Sequence, residues 1–219
     1  MQLSHRPRRT TRHTALAALA ACTLATALPA AHAAGGWDEA VQGDLANAGT
    51  TPTAITLELG SNPVRGTTGR VNSVVDRDYF SFTLAEGLQL DTLTVVGGSF
   101  LGISGLSFIA VQAGPQVTVN PTGGSATGLL GWVHFGENDI GTDILGLMGI
   151  GFGASGFSSP LPAGTYSFWL QDTGTGVASY QLDFGVSAVP EPTAAWLILG
   201  GLAGLAGVVG AKRNRPATR

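Results

Sequence analysis

Between Ala34 and Val189 the chain never runs far without a glycine, proline, asparagine or aspartate, and the apolar residues between these breaks alternate. That punctuation leaves no room for a long helix of period 3.6, whereas short half-buried strands need only a period of two. Eight segments fit the strand pattern: Thr53 to Leu59, Asp78 to Leu84, Leu88 to Val96, Ser107 to Gln112, Gln116 to Asn120, Leu130 to Phe135, Thr165 to Gln171 and Ser179 to Val186. In the first, Ile55, Leu57 and Leu59 share a face; in the second, Phe80, Phe82 and Leu84 oppose Tyr79, Ser81 and Thr83. Only Trp37 to Ala48 offers a short helix. The turns carry matching chemistry in Ala85-Glu86-Gly87, Leu161-Pro162-Ala163-Gly164 and Asp172-Thr173-Gly174-Thr175-Gly176. The expected fold class is all-β, a β-sandwich or jelly-roll-like domain over residues 34–188 with one core.

Charge divides the chain differently. Arg6, Arg8, Arg9 and Arg12 precede one apolar stretch, and Lys212, Arg213, Arg215 and Arg219 follow another. The middle holds three arginines (Arg65, Arg70, Arg77), thirteen carboxylates and no lysine. Basic flanks stay cytoplasmic while what lies between them crosses the membrane, so the pattern predicts an exported middle. An acidic field also argues against nucleic acid as a partner.

The first 33 residues read as a signal peptide: a basic start, an apolar run from Ala15 to Leu28, and the small-residue site Ala31-His32-Ala33. Signal peptidase would then leave Ala34 as the mature start. Leu19-Ala20-Ala21-Cys22 offers the alternative of lipidation at Cys22, the sole cysteine. At the other end, residues 189–215 comprise Val189-Pro190-Glu191-Pro192, an uncharged apolar run, and Lys212-Arg213-Asn214-Arg215. A transmembrane helix over about 194–211 would approach the ~30 Å hydrocarbon core at 1.5 Å per residue. Gly200 and Gly204 fall at a helix-contact spacing within it, though glycine is too common here for that to specify a dimer.

Pro190-Glu191-Pro192, apolar run and basic tail, in that order, resemble the PEP-CTERM sorting signal of Gram-negative bacteria. That resemblance implies transient residence in the inner membrane, processing by an exosortase, release to the cell surface or beyond, and association with exopolysaccharide and biofilm. Asp76-Arg77-Asp78-Tyr79-Phe80-Ser81-Phe82-Thr83-Leu84 and Leu161-Pro162-Ala163-Gly164-Thr165-Tyr166-Ser167-Phe168-Trp169-Leu170 resemble bacterial pre-peptidase C-terminal-type domains. That resemblance implies an extracellular jelly-roll module of a kind that sometimes carries calcium. Between Gly123 and Pro160 the chain departs from that family with a glycine-rich insertion.

Candidate chemistry is sparse. Glu137, Asn138, Asp139 and Asp143, on a glycine-bounded loop, present hard oxygen donors that could collect around Ca²⁺ or form a solvated acidic loop. Asp76 and Asp78 read as turn caps at a strand start. Trp132 and Trp169, with Tyr79 and Tyr166, are the rings available for a carbohydrate platform; on alternating strands such rings also serve as core. His134 is the one histidine after Ala34. With Gly153-Ala154-Ser155-Gly156 lacking nucleophile-elbow spacing, no catalytic set emerges and the expectation is a non-enzyme without a required cofactor. Gly141 to Ser159, apolar and glycine-rich, reads either as an assembly loop or as irregular core.

Overall fold

The computed structural model describes residues 35–190. Among them the chain forms β1 (Trp37–Asp38), α1 (Glu39–Gln42), β2 (Thr53–Ala54), β3 (Gly60–Val71), β4 (Val74–Leu84), β5 (Leu88–Gly98), β6 (Leu106–Ala113), β7 (Gly131–Gly136), α2 (Leu145–Met148), β8 (Gly164–Gln171) and β9 (Gly176–Ala188). The all-β expectation holds. The strands follow the path β5-β9-β3-β4-β8-β6-β7, with β1 added parallel to β3 and β2 parallel to β4. They curl into a nearly closed, barrel-like antiparallel sheet. The signal segment with Ala31, Ala33 and Ala34, the lipidation alternative at Cys22, Glu191, Pro192 and the 194–211 span lie outside the described residues. No helix among the described residues is long and apolar enough to cross a membrane.

The alternation along β4 does what its period requires. Phe80, Phe82 and Leu84 enter the main core with Phe168, Phe184, Leu90, Leu93 and Ile109. Phe168 stacks on Phe80 at 5.5 Å and on Phe82 at 5.4 Å, and meets Phe184 edge-on at 5.2 Å. Tyr79, on the opposite face, joins Trp169, Ala110, Val117 and Leu129 in a second, smaller cluster outside the barrel.

Two predicted strands are replaced. Thr53 to Leu59 pairs only at Thr53–Ala54; Ile55 and Leu57 are buried as expected, but Leu59 is exposed. Gln116 to Asn120 forms no ladder, because its polar backbone bonds elsewhere. Val117 N–H donates to Gly49 O at 2.8 Å, and Thr118 N–H donates to the Gln112 amide oxygen at 3.0 Å. Its valines still face the sheet.

The strand absent from the expectation is β3, which pairs with β9 from Gly60↔Val186 to Arg70↔Gly176. Its Gly-Ser-Asn-Pro-Val-Arg-Gly-Thr-Thr-Gly composition resembles a turn, yet two of those glycines are close-approach points within a strand. A Cβ on Gly66 would lie 2.5 Å from the Tyr180 hydroxyl and 2.6 Å from the Glu39 carboxyl carbon. Gly69 sits at φ +147° against Gly176 O.

The glycine-rich insertion completes the barrel. Gly141 N–H donates to Val95 O (2.7 Å), Val95 N–H to Thr142 O (3.1 Å) and Ile144 N–H to Leu93 O (2.8 Å), so the segment after β7 covers the free edge of β5. Ile144, Leu145 and Met148 then drop into the core, fully buried. Leu147, Ile150 and Phe152 stay exposed, so the stretch is core on one side and surface on the other.

Candidate functional site

The outer face of β6, β7 and β8 supplies a floor of rings. Because Phe108, Trp132, His134 and Trp169 all point outward from adjacent strands, their side chains meet. Phe108 lies 5.9 Å from Trp132 in a stacked pair, 5.5 Å from His134 and 4.8 Å from Trp169, the last two edge-on. Trp132 and His134 meet edge-on at 5.4 Å. Tyr79 extends the row by stacking on Trp169 at 6.0 Å. Two connections wall this floor into a cleft of about 510 Å³: the segment from Asn120 to Leu129, and Phe152 with Gly153. Trp132 is anchored there by its indole N–H, which donates to Phe152 O at 2.9 Å. Trp169 Nε1 is buried without a hydrogen-bond partner. Burial holds the His134 pKa below its ordinary value, so the ring is neutral near pH 7.

The structure therefore unites Trp132 and Trp169, the pair singled out for carbohydrate, with Phe108 and His134 added. Tyr166 is elsewhere: it lies in the main core, its hydroxyl donating to Pro162 O at 3.0 Å. The signal for Phe108 was available, since β6 reads Leu-Ser-Phe-Ile-Ala-Val and its alternation separates Phe108 from Ile109.

The loop expected to offer calcium ligands is engaged with its own backbone. Asp139 Oδ2 accepts from Gly136 N–H at 2.8 Å, closing a 3₁₀ turn at Glu137–Asp139. Asp143 Oδ1 accepts from Leu93 N–H at 2.9 Å and Leu145 N–H at 3.0 Å, which pins the closing segment to β5. Glu137 and Asn138 are exposed. Among the described residues, the one group of three acids whose ligand atoms lie within 4.8 Å of one another is Glu39, Asp44 and Asp78.

Asp78 is not the turn cap expected at a strand start, because β4 begins at Val74 and Asp78 lies fully buried within it. Its Oδ2 accepts from the Tyr180 hydroxyl at 2.6 Å, while Oδ1 has no partner. Burial first, then the nearby carboxylates of Glu39, Asp76 and Asp44, push the Asp78 pKa up to about 9 against the Tyr180 hydrogen bond. Tyr180 is raised well above its ordinary value by burial and by Asp78.

No protein-family model, curated protein or solved structure matches this chain. Its role rests on its own residues.

Proposed function

We propose that this chain is an exported, non-enzymatic surface or matrix protein of the PEP-CTERM kind, and that its working surface is the ring-floored cleft, which holds a neutral saccharide. In this reading the described residues are a jelly-roll-like ectodomain. Signal peptidase removes the first segment, the C-terminal helix holds the precursor in the inner membrane, and an exosortase cuts near Pro190-Glu191-Pro192. Supporting the processing step, the last ladder contact is Val189 N–H to Gly87 O at 2.7 Å, and Pro190 beyond it is exposed.

The observation that carries the binding role is the cleft lining. Apolar ring faces take the C–H faces of sugar rings, while amides and hydroxyls address the hydroxyl groups. Asn120, Ser125, Thr127 and Gln171 supply those polar groups around Trp132 and Phe108. His134 is the one ionisable side chain of the lining, and it is held neutral. A wall without charge suits an uncharged glycan, and the carboxylates elsewhere in the acidic body repel anionic ones.

The test is titration of the full-length chain with the host's exopolysaccharide and with neutral and uronic-acid oligosaccharides, followed by tryptophan fluorescence. Saturable quenching by a neutral glycan, weakened at least tenfold in Trp132→Ala, is expected. Equal binding by wild type and variant, or no binding to any glycan, would refute the cleft. Intact mass of the protein from cells with and without exosortase tests the processing: loss of the tail only in the former is expected.

A further inference from the structure

The ring floor continues past the edge of the cleft. Register sets the outward-facing residues of β8, β6 and β7 in rows: Trp169, Ala110 and Trp132 in one, Gln171, Phe108 and His134 in the next. The second row lines the cleft and also a smaller recess of about 80 Å³ beside it, whose other walls are Ile103, Leu106 and Thr173. Because the two recesses share Phe108, they make one track along β6. From Ala110 to Leu106 that track runs about 14 Å at ~3.4 Å per residue, more than one pyranose ring covers.

The middle row presents hydrogen-bonding groups on both sides of a ring. Arg77 Nε donates to the Gln171 amide oxygen at 2.8 Å. A guanidinium cannot accept, so this bond fixes which way the amide is turned and leaves its NH₂ group to donate to a hydroxyl. Across Phe108 stands His134, exposed and neutral, whose ring nitrogens offer one donor and one acceptor.

The far end is braced from below. Buried Asp172 accepts from Leu101 N–H at 2.8 Å, the Ser107 hydroxyl at 2.8 Å and Gly174 N–H at 2.7 Å, which ties the turn before β6 to the turn after β8. Within the first of these turns Ser104 is held at φ 62°, a conformation that a non-glycine residue keeps only when its surroundings enforce it. Ile103 beside it is left 86% exposed, next to Thr173. Exposed isoleucines are ordinary on a protein surface. This one is fixed in place by a buried carboxylate and extends an apolar floor.

We propose that the track binds an extended stretch of a neutral glycan rather than a single sugar: one ring packs against Trp132 in the cleft, the next on Phe108 between Gln171 and His134, and a further one against Leu106 and Ile103. This rests on the saccharide reading of the cleft and adds the length and course of the chain. No carboxylate, lysine or arginine lines either recess, so the ligand stays uncharged along its whole length. Alternating apolar faces and hydroxyl edges are what such a floor and its flanking polar groups address.

The experiment titrates the full-length chain with neutral oligosaccharides of two to six units, prepared by partial hydrolysis of the host's exopolysaccharide and separated by size, with calorimetry and tryptophan fluorescence as readouts. Affinity should rise about tenfold from the two-unit to the four-unit oligomer and then level off. Ile103→Ser removes an exposed side chain without touching the core, so it should fold normally, leave two-unit binding unchanged and weaken four-unit binding about fivefold. Val41→Ser, at a comparably exposed position in α1, should change neither. Wild-type affinity independent of length would overturn the extended track while leaving the cleft in place. An Ile103→Ser chain that binds the four-unit oligomer as tightly as wild type, or that loses the two-unit oligomer equally, would overturn it too. No binding at any length would remove cleft and track together.

Discussion

Replacing Asp143 by alanine separates a structural acid from a ligand acid. Its Oδ1 takes two backbone donors, Leu93 N–H at 2.9 Å and Leu145 N–H at 3.0 Å, and both donors belong to fully buried residues on opposite sides of the closing seam. Each N–H left without an acceptor costs about 1–3 kcal/mol when water cannot replace it, and about 1 kcal/mol when it can. The expected loss in Asp143→Ala is therefore about 2–4 kcal/mol, or roughly 6–12 °C in melting temperature for a domain of this size. Asp143→Asn keeps an acceptor oxygen and should lose less than half as much. Glu137→Ala, which removes an exposed side chain on the same loop, should change stability by under about 0.5 kcal/mol. Urea melts of the three variants give the free energies, and hydrogen exchange locates them: the Leu93 and Leu145 amides should exchange faster in Asp143→Ala. Equal effects of Asp143→Ala and Glu137→Ala, or unchanged protection at Leu93, would refute the claim that Asp143 pins the closure.

The buried carboxyl sets a pH dependence of stability. Because the folded Asp78 pKa, about 9, lies above the ordinary carboxyl value, its contribution to stability is fully present below about pH 4. It declines as pH rises toward 9, where the folded form must hold a proton the unfolded chain has released. Asp78→Asn should therefore match wild type at pH 4 and exceed it at pH 8; parallel curves from denaturant melts would contradict this. In the core, Phe168→Ala removes a ring that contacts Phe80, Phe82 and Phe184, and should cost about 3–5 kcal/mol, measured by the same melts. A loss under about 1 kcal/mol would mean the three-ring contact is not the centre of the core.

The sequence made the paired strands legible wherever apolar and polar residues alternate without interruption, as along Asp78-Tyr79-Phe80-Ser81-Phe82-Thr83-Leu84. It concealed β3 because there the side-chain space is taken by neighbours: Gly66 yields to Glu39 and Tyr180, and Gly69 to Gly176. A glycine that makes room for a distant residue cannot be told from one that makes a turn without knowing what is opposite. The alternation along β6 sets Phe108 apart from Ile109, but that Phe108 lies between Trp132 and Trp169 follows only from the pairing of β6 with both β7 and β8, which the long connection from β6 to β7 hides. The acid cluster was least legible of all. Glu39 and Asp78 are far apart in sequence, whereas the four polar residues of the Glu137 loop look like a ligand set and are partly committed to local backbone.

Charge economy ties the cleft and the cluster together. From Ala34 to Val189 the chain has three arginines and no lysine with which to neutralise thirteen carboxylates. Arg65 and Arg77 are directed at Asp38 and Gln171 rather than at the buried acid. A fold short of internal cations does not satisfy a carboxylate such as Asp78 by ion pairing, and with its pKa pushed up to about 9 a proton neutralises it instead. The same shortage leaves the ring-floored cleft without a cationic group to draw in a phosphate, a sulfate or a uronic acid. One compositional fact thus gives two expectations, a protonated carboxyl at one place and neutral rings selected at the other. Raising ionic strength with NaCl tests the second: at 0.5 M, glycan affinity should stay within about twofold of its low-salt value. A severalfold loss of glycan binding over the same range would show that charge, and not the neutral ring floor, carries the affinity.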